Sequence, residues 1–140
     1  SAKVTVSLKS APVTAYLYVN DNHDLEGIEK RISSLLTSNY FTLSEDPDTP
    51  KVFIDVSTQM DMGEVVSGGV YDLNTCYCTL VLKIYNNQTE QLLLDYSVNR
   101  VKVLSPAHKT AEETIDACSR EVMKRVKKEL PNRLKKLNLN

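Results

Sequence analysis

The chain has 140 residues, of which 41% are apolar and 25% are charged, and its formal net charge at pH 7 is −1. This composition is typical of a globular protein large enough to bury a core, and it excludes a disordered or collagen-like chain. No apolar run is long enough to span a bilayer, and the start of the chain lacks the pattern of a secretory signal. Because the sequence begins S-A-K-V without Met, we expect a targeting segment or a lipid-bearing residue upstream of residue 1.

Two segments near the start have apolar and polar residues in alternation, as strands do. They cover residues 3–9 and 13–19, and Ser10, Ala11 and Pro12 separate them. The sequence therefore predicts an extra N-terminal strand within residues 1–10 and a second strand after Pro12.

From Asp24 the apolar period changes to that of a helix. The N-D-N-H-D cluster at 20–24 supplies capping side chains, and the helix is predicted to end near Ser38. Residues 40–44 then predict a short strand, and residues 45–50 form an acidic loop marked by two prolines. The stripe of this helix consists of Leu25, Ile28, Ile32, Leu35 and Leu36.

Residues 51–59 predict another strand, and residues 73–104 predict a long hairpin around the polar turn at 86–90. Alternation assigns one face of each hairpin strand to the core. The predicted core positions are Cys76, Cys78, Leu80, Leu82 and Ile84, with Leu92, Leu94, Tyr96 and Val98 opposite them.

The last helix is predicted to begin with a capping box, because Thr110 precedes Glu113 by three residues. Its apolar stripe ends at Leu130, since Pro131 disfavours a continuing helix. We expect residues 131–140 to form a loose tail. The stripe consists of Ile115, Cys118, Val122, Val126 and Leu130.

This order of elements predicts a single α+β domain over residues 1–140. Each helix has one apolar stripe, so both can be buried by packing on the same face of the sheet. The predicted architecture is a two-layer sandwich, with a mainly antiparallel (mixed) sheet and two helices on one face.

The opposite face of such a sheet would be rich in aromatic side chains. Two interpretations are open: tyrosines are good strand residues that pair across strands, or the face contacts a partner, a second copy or the extra strand. A partner could also add to an unpaired edge strand. The candidate partner-binding residues are Tyr16, Tyr18, Phe53, Tyr77 and Tyr85.

No residue pattern predicts a catalytic site, a metal site or a cofactor. His23 and His108 lie in polar segments before helices, where an imidazole usually caps or is solvated. Cys76 and Cys78 have a C-x-C spacing instead of the C-x-x-C that zinc sites favour. We interpret the three cysteines as small core residues, with a disulfide from Cys76 or Cys78 to Cys118 as the less favoured alternative.

Charge is distributed unevenly, since residues 101–140 hold 10 Lys and Arg against 5 Asp and Glu. This surface could be a solvated helix face, or it could meet an anionic membrane or nucleic acid. Nucleic acid is disfavoured, because an RNA-recognition fold would need a further strand and its aromatic signature. Glu121 is also predicted to pair with Arg125. The basic strip consists of Arg120, Lys124, Arg125, Lys127 and Lys128.

Three strand motifs and the start of the last helix carry a family resemblance. They are N-Y-F-T-L at 39–43, K-V-F-I-D-V at 51–56, C-Y-C-T-L-V-L-K-I-Y at 76–85 and the helix start A-E-E at 111–113. In this pattern, residues 13–130 resemble small periplasmic domains of bacterial envelope lipoproteins and assembly factors. Examples are the amino-terminal domain of TolB, the penicillin-binding-protein activator lipoproteins and flagellar lipoproteins.

The resemblance implies a non-enzymatic protein-interaction or assembly module of the bacterial cell envelope, periplasmic or associated with the outer membrane. The partners it implies are envelope proteins or a second copy of the chain, with an anionic membrane surface as a further contact. Binding of an anionic surface or nucleic acid through the basic strip is the alternative function.

Overall fold

The computed structural model describes residues 12–21 and 26–137. The predicted strand at 3–9, most of the predicted helix cap at 20–24, and Leu25 lie outside them. In chain order the elements are β1 (Val13–Asp21), α1 (Glu26–Thr37), β2 (Phe41–Leu43), β3 (Val52–Met62), β4 (Val66–Ser67), β5 (Asp72–Asn86), β6 (Leu92–Pro106) and α2 (Ala111–Lys135).

The strands form one mixed sheet in which β5 pairs with three other strands, β3, β4 and β6. The order is β2-β1-β3-β5, with β6 on the other side of β5 and the short β4 paired with its first residues. β1 is parallel to β2 and β3, whereas β3, β4 and β6 are all antiparallel to β5. The predicted mainly antiparallel, mixed sheet is confirmed.

Both helices pack on one face of the sheet, as the single apolar stripe on each helix predicts. The buried side chains of α1, α2 and the inward face of the strands form one hydrophobic cluster. The helices also contact each other, because Arg31 of α1 donates from Nη1 to Ser119 Oγ at 3.3 Å and pairs with Asp116 at 3.5 Å. The two-layer α+β sandwich is therefore confirmed.

The capping box of α2 is present. Thr110 Oγ1 accepts a hydrogen bond from the backbone N–H of Glu113, and the Glu113 carboxylate accepts from the backbone N–H of Thr110. The bond from the Thr110 backbone N–H to the Glu113 carboxylate lowers the pKa of Glu113, and the nearby Lys109 ammonium lowers it further. The helix therefore begins where the sequence predicted.

The end of α2 differs from the prediction, because the helix continues through Pro131 to Lys135. Tertiary contacts explain why the proline does not end it: Leu134 is only 6% exposed and Leu137 also packs against the core. Arg133 donates from Nη2 to the Asp95 carbonyl at 3.0 Å. The predicted loose tail is thus wrong for residues 131–137, and residues 138–140 lie outside the described chain.

Leu134→Ala is expected to lower the free energy of unfolding by about 2 kcal/mol, at the low end for a buried leucine because this residue lies near the helix end. Chemical denaturation measures the effect. Lys135→Ala is the matched control, since that side chain is exposed and should change stability by less than about 0.5 kcal/mol. Equal stability of the two variants would mean that the last turn does not pack.

The hairpin register also corrects one predicted core position. An irregularity between Ile84 and Tyr85 pairs Tyr85 with Leu92, so Leu92 lies on the face away from the helices and is 46% exposed. Its neighbour Leu93 packs partly against the core instead. A one-residue change of register moves a side chain to the other face of a strand, and strict alternation could not foresee it.

A disulfide joins Cys78 of β5 to Cys118 of α2, and Cys76 is a buried free thiol. The three residues are core residues as predicted, but the interpretation without a bridge is wrong for Cys78 and Cys118. Burial raises the pKa of the Cys76 thiol, and the nearby Asp61 carboxylate raises it further. All three sulfur atoms lie within 4.8 Å of one another, yet two of them are joined, so they do not offer three thiolates to a metal.

Candidate partner-binding surface

Four apolar side chains lie in one row across the helix-free face, each on a different strand. The register pairs Tyr16 with Phe53, Phe53 with Tyr85, and Tyr85 with Leu92. The rings of Tyr16 and Phe53 are tilted against each other with centroids 5.4 Å apart. This set, here called the apolar row, crosses β1, β3, β5 and β6 at one end of the sheet.

The neighbouring row is polar and partly charged. Tyr18, which is 49% exposed, pairs in register with Asp55, and Lys83 lies between Asp55 and Asp95. Lys83 is therefore flanked by two carboxylates, and this row has a net negative charge. Among Tyr16, Tyr18, Phe53 and Tyr85, Tyr18 is the most exposed side chain.

A depression of about 400 Å³ opens beside the apolar row. The β5–β6 turn shapes it, because Asn86 Oδ1 accepts hydrogen bonds from the backbone N–H groups of Gln88 and Thr89. Asn87 donates from Nδ2 to two carbonyl oxygens of the acidic loop, both at 2.9 Å. The side chains that line the depression are Phe53, Tyr85, Asn86, Asn87 and Glu90.

These bonds connect the turn to the proline-marked loop before β3, so the depression is preorganised. Sequence patterns identified the aromatic residues but not Asn87, whose role depends on the partners Pro47 and Pro50, about 40 residues earlier in the chain. Glu90 lines the depression, and the loop to which Asn87 donates carries the exposed Asp46 and Asp48; these three carboxylates are here called the acidic rim. A partner with basic residues around an apolar anchor would complement it.

Tyr77 lies on the same face of the sheet as the other four predicted contact residues, but far from the apolar row. It lies eight residues from Tyr85 along β5, which at the usual rise per residue is about 26 Å. Its register partners are Asp61 and Lys102, and the Arg100 guanidinium lies 4.5 Å from its ring centroid. The structure brings together Tyr16, Tyr18, Phe53 and Tyr85 and places Tyr77 in a different, charged environment.

The edge strands offer limited main-chain pairing. Within the described chain, β6 pairs with a single strand, β5, and its other side is an edge. The Arg133 side chain donates a hydrogen bond to the backbone carbonyl of Asp95 in this strand. A register irregularity beside Arg100 also interrupts the regular pairing of β6. Both features are ways in which proteins block edge-to-edge association, so the sheet face is the better candidate surface.

The basic strip is exposed, but part of its charge is neutralised. Arg120 pairs with Asp116 at 3.2 Å, and Lys124 pairs with Glu121 at 3.3 Å. The predicted pair of Glu121 with Arg125 is wrong, because Lys124 takes that carboxylate. No ion pair to any described residue involves the other three members of the strip: Arg125, Lys127 and Lys128.

Titratable groups suited to catalysis are not assembled in the described part of the chain. His108 is exposed in the turn before α2 and has no side-chain hydrogen bond to a described residue, while His23 lies outside the described chain. The cysteine sulfurs are buried between sheet and helix. Tyr96 donates to Glu129 at 3.4 Å, and burial together with the Glu129 charge raises its pKa to about 12.

Neither a protein-family model nor a curated protein matches the sequence. Solved structures share the fold. A homologue of neuraminyllactose-binding hemagglutinin from Helicobacter pylori superimposes with a TM-score of 0.57 at 14% identity, covering 87% of this chain and 84% of that one. A minor lipoprotein from Acinetobacter baumannii also gives a TM-score of 0.57, at 13% identity, covering 86% of this chain and 91% of that one.

The similar structures include bacterial lipoproteins, so the resemblance to small α+β domains of envelope lipoproteins that the strand and helix motifs predicted is confirmed for the fold. At these identities the likeness concerns architecture, and function must be argued from the surface itself. Among the described residues, neither helix has the length and apolar composition that a membrane span needs.

Proposed function

We propose that the chain is a non-enzymatic protein-interaction or assembly module of the bacterial cell envelope. The observation that carries this proposal is the apolar row, which sets three aromatic rings and Leu92 side by side on the face that the helices leave uncovered. Aromatic side chains supply much of the binding energy in protein interfaces. A solvated sheet face would ordinarily be polar.

An envelope location is supported by two independent features. The fold is shared with bacterial lipoproteins. The Cys78–Cys118 disulfide is the kind of bond that forms and persists in oxidising compartments such as the periplasm. We therefore place the protein in the periplasm or at the outer membrane, where its partner would be another envelope protein or a second copy of the chain.

The partner's chemistry follows from the surface. An apolar side chain of the partner would enter the depression between Phe53 and Tyr85, and basic residues around it would face the acidic rim. Asn86 and Asn87 are held by the turn and would supply fixed polar contacts. A preorganised site of this kind loses little conformational entropy on binding.

Affinity capture from solubilised envelopes of the source organism tests this function. The tagged chain and a Phe53→Ala, Tyr85→Ala variant would be compared, with Tyr77→Ala as the matched control on the same sheet face. The proposal expects one protein retained by the wild type and by Tyr77→Ala but lost in the double variant. Retention by all three forms, or by none, would contradict it.

A second candidate contact is an anionic membrane surface, favoured by Arg125, Lys127 and Lys128, which form no ion pair to a described residue. Lys127→Glu with Lys128→Glu is expected to weaken binding to vesicles containing phosphatidylglycerol by about 2 kcal/mol or more, roughly thirtyfold, because each cation near such a surface contributes about 1 kcal/mol. Sedimentation of the vesicles measures it. Capture of the protein partner should change by less than about twofold, since these residues lie on α2 and outside the apolar row.

If instead the charge reversal abolished capture of the protein partner, the binding surface would lie on α2. If DNA competed with the vesicles at physiological salt, the result would support the nucleic-acid alternative, because DNA affinity comes largely from phosphate contacts that salt weakens.

A further inference from the structure

Arg100 has a backbone conformation that its side chain disfavours. Its φ is 41°, in the left-handed region that favours glycine. The residue lies at a register irregularity where β6 changes its pairing between Cys78 and Leu80 of β5. Its backbone N–H donates to Thr79 Oγ1 at 3.1 Å, which fixes the bulge. Such bulges re-aim a side chain, and strained residues of this kind are concentrated at functional sites.

The bulge directs Arg100 over Tyr77. The guanidinium lies 4.5 Å from the centroid of that ring, where the ring quadrupole attracts it. Lys102, on the same strand as Arg100, is the register partner of Tyr77, and both cations line one cleft with that ring. Within residues 12–21 and 26–137, neither Arg100 nor Lys102 forms an ion pair. Both retain donors for a ligand.

These residues line a cleft of about 380 Å³ whose other wall carries two carboxylates. Asp61 pairs with Tyr77 from β3, across from Lys102. Glu64 follows in the loop, where its carbonyl accepts from the buried Thr75 hydroxyl at 2.7 Å. The loop passes so close to the sheet that a Cβ at Gly63 would clash with Thr75 Oγ1 and Tyr77. The loop that forms this wall is therefore held in place by its packing against β5.

We propose that this cleft, here called the charged cleft, binds a small amphoteric ligand that carries an oxyanion and an amine. Arg100 and Lys102 hold the carboxylate or phosphate, and Asp61 and Glu64 hold the ammonium. Asp61 and Lys102 stand two strand spacings apart, about 10 Å between backbones, so their side chains can meet both ends of a short ligand. Tyr77 forms the floor. This binding is separate from the apolar row and goes beyond the proposed function.

The presence of an arginine at position 100 supports a ligand-binding role for its side chain. Glycine would adopt the same backbone without steric strain, so the arginine has a backbone cost that contacts of its side chain must offset. In the described chain that side chain contacts the Tyr77 ring and otherwise faces the cleft. Its planar fork matches the geometry of carboxylate and phosphate oxygens.

Titration of the ¹⁵N-labelled protein with two probes, O-phosphoethanolamine and β-alanine, tests the proposal. We expect saturable shifts at residues 63, 77, 100 and 102 for at least one probe, with a Kd on the order of 1–10 mM for ligands of this size. Inorganic phosphate and ethanolamine alone should bind at least about fivefold more weakly, because each lacks one charge. Binding of only one amphoteric probe would identify the oxyanion.

Arg100→Gly and Arg100→Asn both suit a left-handed backbone. Each is expected to weaken probe binding by at least about tenfold while changing Tm by less than about 4 °C. Lys83→Gln is the matched control, a cation on the same face flanked by two carboxylates, and it should leave probe binding unchanged. Shifts unaffected by the Arg100 variants, no shifts at all, or a larger loss of Tm in both variants would overturn the assignment and leave Arg100 a structural residue.

Discussion

Cys118→Ala is expected to lower the free energy of unfolding by about 4 kcal/mol under oxidising conditions. The disulfide that it removes closes a loop with a sequence separation of 40 residues. Loss of the entropic constraint on the unfolded chain is worth about that much for a loop of this length. The bridge also joins α2 to β5, which pairs with three other strands of the sheet. Urea denaturation of both forms, with and without a thiol reductant, measures the effect.

Two comparisons make this result specific. Reduction should remove most of the difference between wild type and Cys118→Ala, leaving only the smaller effect of the lost side chain. Cys76→Ala should lower stability by no more than about 1–2 kcal/mol, since it removes a buried sulfur without a bridge. Cys78→Ala is less informative, because the Cys76 sulfur lies within 4.8 Å of Cys118 and can replace it. Wild type and Cys118→Ala of equal stability in oxidant would contradict the bridge.

Phe53→Ala is expected to weaken partner binding by at least about thirtyfold, which corresponds to the 2 kcal/mol or more of an interface hot spot. Phe53 is the centre of the apolar row, since it pairs in register with both Tyr16 and Tyr85 and also lines the depression. Its side chain is half-buried, so the fold should survive the substitution. Calorimetry with the captured partner measures the affinity.

Tyr77→Ala is the control for this measurement. It removes an aromatic ring from the same face of the same sheet, but at the charged cleft, and the affinity for the protein partner should change by less than about twofold. If Tyr77→Ala weakened binding as much as Phe53→Ala, the whole length of the face would be the interface. The division into two sites would then be wrong.

Much of this fold could be predicted from the sequence because side-chain direction in strands and helices is local. Alternation in β5 predicts its inward residues correctly, and so does the apolar stripe of α2. Thr110 and Glu113 are three residues apart, so their capping box was also a local feature. The failures concern residues whose environment is set by distant parts of the chain.

Leu92 was misplaced because the bulge beside Tyr85 shifts the register, and the turn sequence does not reveal that shift. Pro131 predicts a helix end because it lacks the backbone N–H that a helix needs, yet burial of Leu134 outweighs that preference. The apolar row could not be predicted without the strand order, because Tyr16, Phe53 and Tyr85 are neighbours only if β3 lies between β1 and β5. That order is non-local, whereas the separation of Tyr77 from Tyr85 follows from their spacing of eight residues along β5.

The central claim is that the apolar row binds a protein of the cell envelope. The most direct measurement places a photo-crosslinking amino acid at position 18, beside the row, and in a second strain at position 125, on the basic strip, in living cells of the source organism. We predict one discrete protein adduct from position 18, lost when Phe53→Ala is added, and no protein adduct from position 125. Adducts from position 125 alone would contradict the account and move the interface to α2.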